Sequence, residues 1–523
     1  MVLFSAIAIA LYGYDQGMMS LVNTNRSYLR TMAIPADSPL VGVIVSVYYL
    51  GCVIGAVAAS SLADRKGRKI SITACLIMSI IGNILMFIPG IYPWDSDSSW
   101  SGSSRVFMLA GRVILGIGIG GIDAVIPIYS SELSKDNARG SALAVEFQGN
   151  IGGLLLAFVL NLVLTRTLGK DSNWAWRIPI IFMQVFPIVL LSIIRGLPES
   201  PRWFVSKERL DDASNVLIRL YGEALAADKL EELHKAQQEE TAERIKYYDM
   251  IWPTGSQFHP TMITVMGQIN QALTGYGAVS VYGVQIFGLL GLAVRGAEWV
   301  TLGNYCFYFC MMTVGWMTID VLGRRWLMII GSVILAGCFA LLAFFGGATV
   351  NIFHKPNLWV EIIGCATLYG STATFGICWL TTVWLIPTEI YPNSARAKGS
   401  SISVIVWGIA NFAVTLLTPI GFNNLKYSLF IVFAVTNAIA GLFTWLFSPE
   451  TGGRSFEANQ EFFISARDEG SWMVKKVDGG KFMTMPPKEE DPENANVESV
   501  KGENVQGELS ETMPLLGESI DSE

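Results

Sequence analysis

The chain has 523 residues, of which 52% are apolar and 15% are charged. A soluble globular protein usually carries about 25% charged residues, so this composition excludes an ordinary soluble domain and indicates a membrane protein. The residues beyond Pro449 carry a net charge of −10, which leaves +3 for the rest of the chain. A weakly basic body with an acidic tail has no cluster of exposed basic residues, so nucleic-acid binding is excluded.

The sequence has no pattern typical of a metal, disulfide or catalytic site. All seven cysteines fall inside apolar runs, which fits neither a disulfide framework nor a zinc site. The three histidines, His234, His259 and His354, are widely separated. We therefore expect no resident metal or cofactor and no enzymatic activity.

Apolar segments long enough to cross a membrane recur along the chain. The first lacks a basic n-region and a small-residue cleavage site, so it is predicted to be a span and not a removable signal. Because Met1 begins almost inside it, we expect either a minimal N-terminus or a misassigned start codon. A span needs about 20 mostly apolar residues. By this criterion the sequence contains twelve predicted spans: 2–22, 39–62, 70–90, 105–129, 140–164, 176–196, 260–290, 297–319, 326–349, 358–387, 399–420 and 427–448.

Polar segments divide the chain and suggest its orientation. An even number of spans places both termini and the segment between spans six and seven on one side. The four short loops on that side hold ten Lys and Arg residues, against about eight in the six loops on the opposite side. Because Lys and Arg are enriched in cytoplasmic loops, the side with the four loops is predicted to be the cytoplasmic one. Asn25 begins a glycosylation triplet in the first outer loop, although such triplets are common by chance. The predicted regions are a first half, 1–196; a linker with short amphipathic helices, 197–258; a second half, 259–448; and a tail, 449–523, disordered from about 470.

Three motifs recur in the same order at offsets of 256, 257 and 251 residues. A parallel duplication of six spans is typical of carriers that rock one half against the other around a central site. The sequence therefore predicts two six-helix halves. The repeated motifs are 64–69 and 320–325, Glu132 with Arg139 and Glu389 with Arg396, and 198–199 and 449–450.

Further motifs accompany the repeat: 13–15, Gly111 with Arg112, 127–132, 198–203 reading PESPRW, 384–392, and 449–454 reading PETGGR. Together they make the chain resemble the sugar porter family of the major facilitator superfamily, in its fungal, sugar/proton symporter-like form, over about residues 11–457. The resemblance implies an all-α membrane protein with twelve transmembrane helices and transport by alternating access.

The resemblance implies a charged gate at the cytoplasmic helix ends. Glu132 would pair with Arg396, and Glu389 with Arg139, when that side is closed, and both pairs would break as it opens. The alternative is a set of solvated charges. The full set of implied gate residues is Asp64, Arg68, Glu132, Arg139, Glu199, Arg202, Asp320, Arg324, Glu389 and Arg396.

Asp15 is the most informative single residue, because a carboxylate inside a membrane span costs several kcal/mol unless it is paired. In the family, an acid at this place resembles the proton site of symporters, with the arginine of the fourth helix, here Arg112, as its partner. The alternative is a structural Asp15–Arg112 bridge in a uniporter.

Two further acids, Asp123 and Glu146, fall within predicted spans. They belong to none of the widely shared family motifs. They are candidates for substrate ligands or a secondary proton relay, or else they satisfy helix contacts near the cytoplasmic side.

The seventh helix departs from the family pattern. Ala272, Gly277 and Val281 stand where typical members have a glutamine, an asparagine and a tyrosine. Each lost amide hydrogen bond reduces hexose affinity by about 1 kcal/mol or more unless Gln148, Gln268 or Asn270 substitutes for it, so we expect an atypical substrate. The implied binding residues, each also open to interpretation as a packing residue, are Gln148, Gln268, Asn270, Gln271, Tyr282, Trp384 and Asn411.

The C-terminal tail contains Glu511, Leu515 and Leu516, which fit the acidic dileucine pattern read by sorting adaptors and also arise easily by chance. We expect the plasma membrane, with a vacuolar or endosomal membrane as the alternative.

The sequence thus predicts proton-coupled import of a monosaccharide, polyol or related hydroxylated solute. No Walker-type motif is present, which argues against ATP-driven transport. The resemblance implies the proton as the coupling ion. The alternatives are a facilitative uniporter, a nutrient receptor that does not transport, and an efflux carrier of a non-sugar compound.

Overall fold

Long apolar helices make up most of the chain. The computed structural model describes residues 2–35, 38–89, 101–133, 139–242, 245–348, 358–452 and 456–474, and these contain no β-strand. Three predictions lie outside the described residues: the sorting motif Glu511, Leu515 and Leu516, nearly all of the tail predicted to be disordered, and the side chain of Arg139.

The first six spans occupy the first half of the chain. Span 6 consists of two helices, and each of the other five is one helix. The spans are span 1, Val2–Val22; span 2, Leu40–Lys66; span 3, Arg68–Phe87; span 4, Ser101–Leu133; span 5, Arg139–Leu168; and span 6, Asn173–Phe182 with Val185–Ile194.

The remaining spans occupy the second half, and two of them are interrupted. They are span 7, Phe258–Leu273 with Tyr276–Leu289; span 8, Val294–Leu322; span 9, Arg324–Ala348; span 10, Leu358–Thr374, a π-helix Phe375–Leu380 and Thr381–Ile390; span 11, Asn393–Leu425; and span 12, Leu429–Phe447.

Eleven stretches of helix among the described residues are long and apolar enough to cross a membrane. The last of them, Lys398–Phe447, covers 50 residues and contains both span 11 and span 12. The predicted twelve-helix architecture is therefore confirmed. Most helices run a few residues beyond the predicted bounds, because their polar ends lie outside the apolar windows that define a span.

The breaks in spans 7 and 10 have local causes. Gly275 lies in the left-handed region at φ +82°, and a side chain there would meet the ring of Phe433. Span 12 satisfies carbonyls freed at this break, since Thr436 donates to Leu273 O at 2.8 Å and Asn437 to Thr274 O at 3.2 Å. The π-helix in span 10 is the kind of bulge often found at functional sites.

The helical bundle has a linker end and a far end. The linker end carries residues 197–258, which fold into the helices Pro201–Ser206, Leu210–Tyr221, Glu223–Ala242 and Tyr247–Ile251. Exposed tryptophans mark both ends, as expected at the two interfaces of a bilayer. Trp174, Trp299 and Trp359 lie at the far end, and Trp252, Trp326 and Trp445 lie at the linker end.

The two halves contact each other mainly where span 2 packs on span 11 and where span 5 packs on span 8. Span 1 also packs against the second helix of span 7. Ser401 donates to Ser60 at 3.0 Å near the linker end of spans 2 and 11. Within the first half, span 1 lies against span 5 and span 2 against span 4 at glycine contacts, where the helix backbones approach closely. A central space is left between the halves.

Candidate functional site

A central cavity of about 1080 Å³, including the part open to solvent, lies between the two halves. Spans 1, 4 and 5 of the first half and spans 7, 8, 10 and 11 of the second contribute to its walls. The lining continues to Pro127, Thr388 and Ser400, which lie near the linker ends of their helices. Its place at the interface of two repeated halves is typical of a small-solute site.

Aromatic side chains dominate the wall of the cavity. Trp407 makes edge contacts with Tyr12, at a centroid distance of 5.4 Å, and with Trp384, at 5.9 Å. Tyr276 stacks on Phe375 of the π-helix at 4.1 Å, so the bulge in span 10 places a ring on the cavity wall. Flat apolar surfaces of this kind suit the faces of a sugar ring.

Four amide side chains are among the described residues that line the cavity. Asn150 donates to Ile9 O at 3.4 Å. Gln271 donates from Nε2 to Trp379 O and Leu380 O, at 3.2 and 3.3 Å. Asn411 donates to Trp407 O at 2.9 Å. Gln16, which adjoins Asp15 in span 1, donates to the hydroxyl of Tyr12. These bonds hold the amides in place while leaving their carbonyl oxygens to accept from a solute.

The predicted binding residues separate into two groups. Gln271, Trp384 and Asn411 line the cavity. The other four do not belong to its described lining. Gln268 donates at 2.6 Å to Ser403, which does line the cavity. Gln148 donates to Thr313 at 3.2 Å and Tyr282 to Thr415 O at 3.4 Å, while Asn270 is buried in span 7.

Asp15 and Arg112 form the predicted pair. Arg112 Nη1 lies 2.6 Å from Asp15 Oδ1, and both side chains are almost fully buried. The guanidinium also donates to Ile44 O and Val45 O, each at 3.2 Å, and lies 4.7 Å from the ring centre of Tyr48. The charges are thus mutually compensated, as a buried ion pair requires.

Asp123 and Glu146 both line the cavity. Asp123 is 7% exposed, and its Oδ1 has no hydrogen-bond partner among the described residues. Glu146 is 1% exposed, with the hydroxyls of Ser5 and Ser130 close to its carboxyl. The sequence left three roles open for these acids: substrate ligand, secondary proton relay or helix contact. Their position in the cavity wall allows the role of substrate ligand.

A charge network joins spans 2, 3 and 4 to the start of the linker at the linker end of the first half. Arg68 donates from Nε and Nη2 to the two oxygens of Glu132, both at 3.1 Å, and from Nη1 to Asp64 at 3.3 Å. Glu199 accepts from the backbone N–H groups of Arg68 and Lys69, at 3.0 and 3.1 Å. Glu199 therefore satisfies the first amides of span 3, where the helix dipole favours a negative charge.

The second half repeats this network. Arg324 donates from Nε and Nη2 to Glu389, at 3.2 and 2.8 Å, and from Nη1 to Asp320 at 2.8 Å. Glu450 accepts from the backbone N–H groups of Arg324 and Arg325, at 2.8 and 3.0 Å. The repeat inferred from sequence is therefore a repeat of individual hydrogen bonds.

The gate glutamates are bound within their own halves. The resemblance implies that Glu132 pairs with Arg396, and Glu389 with Arg139, only when the linker end is closed. Arg396 and Arg202 are half-buried at the linker end. The cross-pairs remain a prediction.

A further ion pair crosses between the halves at the far end. Glu298 of span 8 is 1% exposed and lies 2.5 Å from Arg166 of span 5 and 2.8 Å from Lys170. The sequence analysis missed this contact, because each residue lies beside a predicted loop, where charges are expected. The cluster ties the halves together at the far end, while the cavity reaches towards the linker end.

Comparison with known proteins identifies the family. A family model described as "Sugar (and other) transporter" matches residues 1–463. The chain belongs to this family. The resemblance drawn from the sequence motifs is therefore confirmed, and the protein is a sugar transporter of the major facilitator superfamily and not an enzyme.

Several curated proteins are similar over most of their length. The MFS-type transporter oryC of Aspergillus oryzae is 28% identical, with 88% of this chain and 84% of oryC covered. The sugar transporter STL1 of Saccharomyces cerevisiae is 27% identical, with 90% and 82% covered. The D-xylose-proton symporter of Escherichia coli is 27% identical, with 86% and 92% covered.

Solved structures show the same fold. The proton:xylose symporter XylE bound to 6-bromo-6-deoxy-D-glucose matches with a TM-score of 0.75 and 24% identity, covering 88% of this chain and 98% of XylE. This likeness confirms the fold of two six-helix halves.

Several cavity residues escaped the sequence analysis. Tyr12, Trp407 and Tyr308 are aromatic residues within apolar spans, and such residues look alike in sequence whether they face lipid, core or cavity. Gln16 carried a usable signal, since an amide inside a span next to Asp15 is unlike a lipid-facing residue.

Proposed function

We propose that this transporter imports a monosaccharide, polyol or related hydroxylated solute together with a proton, by alternating access. The observation that carries the proposal is the position of Asp15. It is buried opposite Arg112, and the next residue, Gln16, lines the cavity. The name of one relative, the D-xylose-proton symporter, gives the same class of coupling.

Protonation of Asp15 removes the charge that Arg112 compensates. The Asp15–Arg112 pair then weakens, and the buried arginine retains only its carbonyl acceptors and the ring of Tyr48. Because Tyr12 and Gln16 lie on the same helix as Asp15, a movement of span 1 changes the cavity wall. This linkage gives the proton a direct mechanical effect on the solute site.

The solute binds among Gln271, Trp384 and Asn411. The two amides supply hydrogen bonds to hydroxyl groups, and the indole covers an apolar ring face. Tyr12, Tyr276 and Trp407 complete the enclosure. The small number of amides fits a solute that differs from a common hexose.

We place the linker end in the cytoplasm, with both termini on that side. The first half is then 1–196, the linker 197–258, the second half 259–448 and the tail 449–523. Solute released at the linker end enters the cell. We assign the protein to the plasma membrane, with Glu511, Leu515 and Leu516 as the candidate signal for retrieval by a sorting adaptor.

The experiment is uptake by cells that express the Asp15→Asn variant, with Asp171→Asn as the matched control. Asp171 is a far-end surface residue that contacts Arg26 and Arg30, so its loss leaves the cavity intact. We expect Asp15→Asn to abolish accumulation against a gradient while preserving exchange of internal for external solute. Retained accumulation would refute the proton role and leave a uniporter with a structural bridge.

A further inference from the structure

Asp123 and Glu146 differ from the other buried acids of the bundle. Asp15 is paired with Arg112 and Glu298 with Arg166 and Lys170, at distances of 2.5 to 2.8 Å. A buried carboxylate needs such compensation. Asp123 and Glu146 lack an ion pair of this kind among the described residues, and both line the cavity.

The cavity supplies no positive charge for these two acids. No lysine, arginine or histidine is among the described residues that line it. Asp123 is more than nine-tenths buried, and its Oδ1 has no partner among the described residues. An unpartnered oxygen in the wall of an open cavity is a place for a donor that the solute brings.

The aromatic residues around the two acids suit the same kind of solute. Tyr12, Trp384 and Trp407 form a connected set of rings, with Phe147 6.0 Å from Trp384 on the side of Glu146. The faces of such rings attract cations, and an aromatic cage is a common site for an organic ammonium group. Carboxylates together with aromatic faces favour a cation over a neutral sugar.

We infer that the solute carries a protonated amine, which binds in the cavity beside Asp123 and Glu146, while its hydroxyl groups bind the amides of spans 7 and 11. The substrate class is then an amino sugar or amino polyol. This inference rests on the proposed function, since it specifies the solute of the same cavity. It also gives a reason for the reduced number of amides in span 7, because a charged contact replaces neutral hydrogen bonds.

Matched pairs of solutes test the inference, in transport-deficient cells that express the full chain. The pairs are glucosamine with glucose and 1-amino-1-deoxysorbitol with sorbitol, which differ only by an ammonium group in place of a hydroxyl. We expect uptake of the amine to exceed that of its neutral partner by about tenfold or more, the scale of one charge-assisted hydrogen bond.

Variants connect the preference to the two acids. Asp123→Asn and Glu146→Gln should each reduce the preference towards parity, whereas Asp171→Asn should leave it unchanged. Variant protein at the membrane is measured by a fluorescent tag. If one variant fails to reach the membrane, the other variant still tests whether the amine preference depends on these acids.

Each result has a defined meaning. Preference for the neutral partner in the wild type, or an amine preference that survives in both variants, overturns the inference and leaves the proposed function standing. Uptake of neither member of either pair counts against both proposals. An amine preference lost in either variant supports both.

Discussion

The pair formed by Asp15 and Arg112 shows how one residue can couple two processes. Removing one partner of a buried ion pair costs about 3–5 kcal/mol, because the other charge stays buried. The backbone carbonyls of Ile44 and Val45 reduce that cost here, since they accept two of the guanidinium bonds. In the proposed mechanism, Arg112 therefore stays anchored to span 2 when Asp15 takes up a proton, and span 1 is the element released.

Trp384 gives the clearest test of the cavity at the residue scale. We expect Trp384→Ala to raise the KM for the transported solute about tenfold, because the ring contributes stacking and apolar burial. Uptake kinetics provide the measurement, with Trp359→Ala as control. Trp359 is 72% exposed on the outside of the bundle, far from the cavity. Equal KM values for the two variants would exclude Trp384 from the binding site.

The repeated capping glutamates act at the scale of single helices. Glu450 accepts two backbone N–H groups at the start of span 9. We expect Glu450→Gln to destabilise the protein by about 1–2 kcal/mol, since the amide keeps fewer acceptors and loses the interaction with the helix dipole. Thermal unfolding of the purified protein measures this effect. Glu461→Gln, an exposed position in the helix Phe456–Asp468, should leave Tm unchanged. A Tm equal to wild type in both variants would contradict the capping role.

The turn that precedes span 3 depends on Gly67. Its φ of +102° lies in the region that favours glycine, and a side chain there would meet the carboxylate of Glu199. We expect Gly67→Ala to destabilise the protein by about 1–3 kcal/mol. Gly169→Ala, at φ +84° but with open space around it, tests backbone strain alone. A larger loss of thermal stability at Gly67 than at Gly169 would support the packing argument, and equal losses would contradict it.

The far-end cluster joins the end of span 5 in one half to span 8 in the other. Replacing Glu298 by Gln leaves Arg166 and Lys170 close together without a countercharge, so spans 5 and 8 should separate more often at that end. Spin labels at Thr167 and Val294, both exposed there, report the separation by double electron–electron resonance. We expect the distances between the two labels to become longer in Glu298→Gln and to stay unchanged in the control variant Glu361→Gln. An unchanged distribution in Glu298→Gln would mean that the cluster does not hold the halves together.

For the whole molecule, we expect the tail beyond residue 474 to be dispensable for transport. The cavity and both charge networks lie within the described residues up to 474. Trp472 stacks on His259 at 5.1 Å and Val474 N donates to Leu446 O at 2.8 Å, so a truncation should retain these contacts. Deletion of 475–523 should leave the uptake rate per membrane protein unchanged. Loss of uptake with normal membrane amounts would contradict this expectation and assign the tail a role in transport.

Most of the fold could be predicted from the sequence, because each span is a long apolar run and the repeated motifs mark corresponding helix ends. The pair of Asp15 with Arg112 was also predictable, since a charge within a span needs a partner. The break at Gly275 and the π-helix Phe375–Leu380 were not, because they depend on contacts with distant helices. Nothing in the apolar pattern distinguishes a tryptophan in the cavity from one that faces lipid.

The predicted substrate residues illustrate the same limit. Gln268 and Gln271 lie three residues apart in one helix, yet Gln271 belongs to the described lining of the cavity, whereas Gln268 does not and donates to Ser403 of span 11. A helical pattern places both on a polar face. Only the kink and the neighbouring spans decide which of them meets the solute.

The most direct test of proton-coupled uptake is the accumulation ratio of a labelled solute in transport-deficient cells at acidic external pH. The panel contains neutral sugars, polyols and their amino derivatives, each measured with and without a protonophore. We predict accumulation of at least one solute above equilibrium, and loss of this accumulation when the protonophore collapses the proton gradient. Uptake that only equilibrates and is unaffected by the protonophore would contradict the account and make the protein a facilitative carrier.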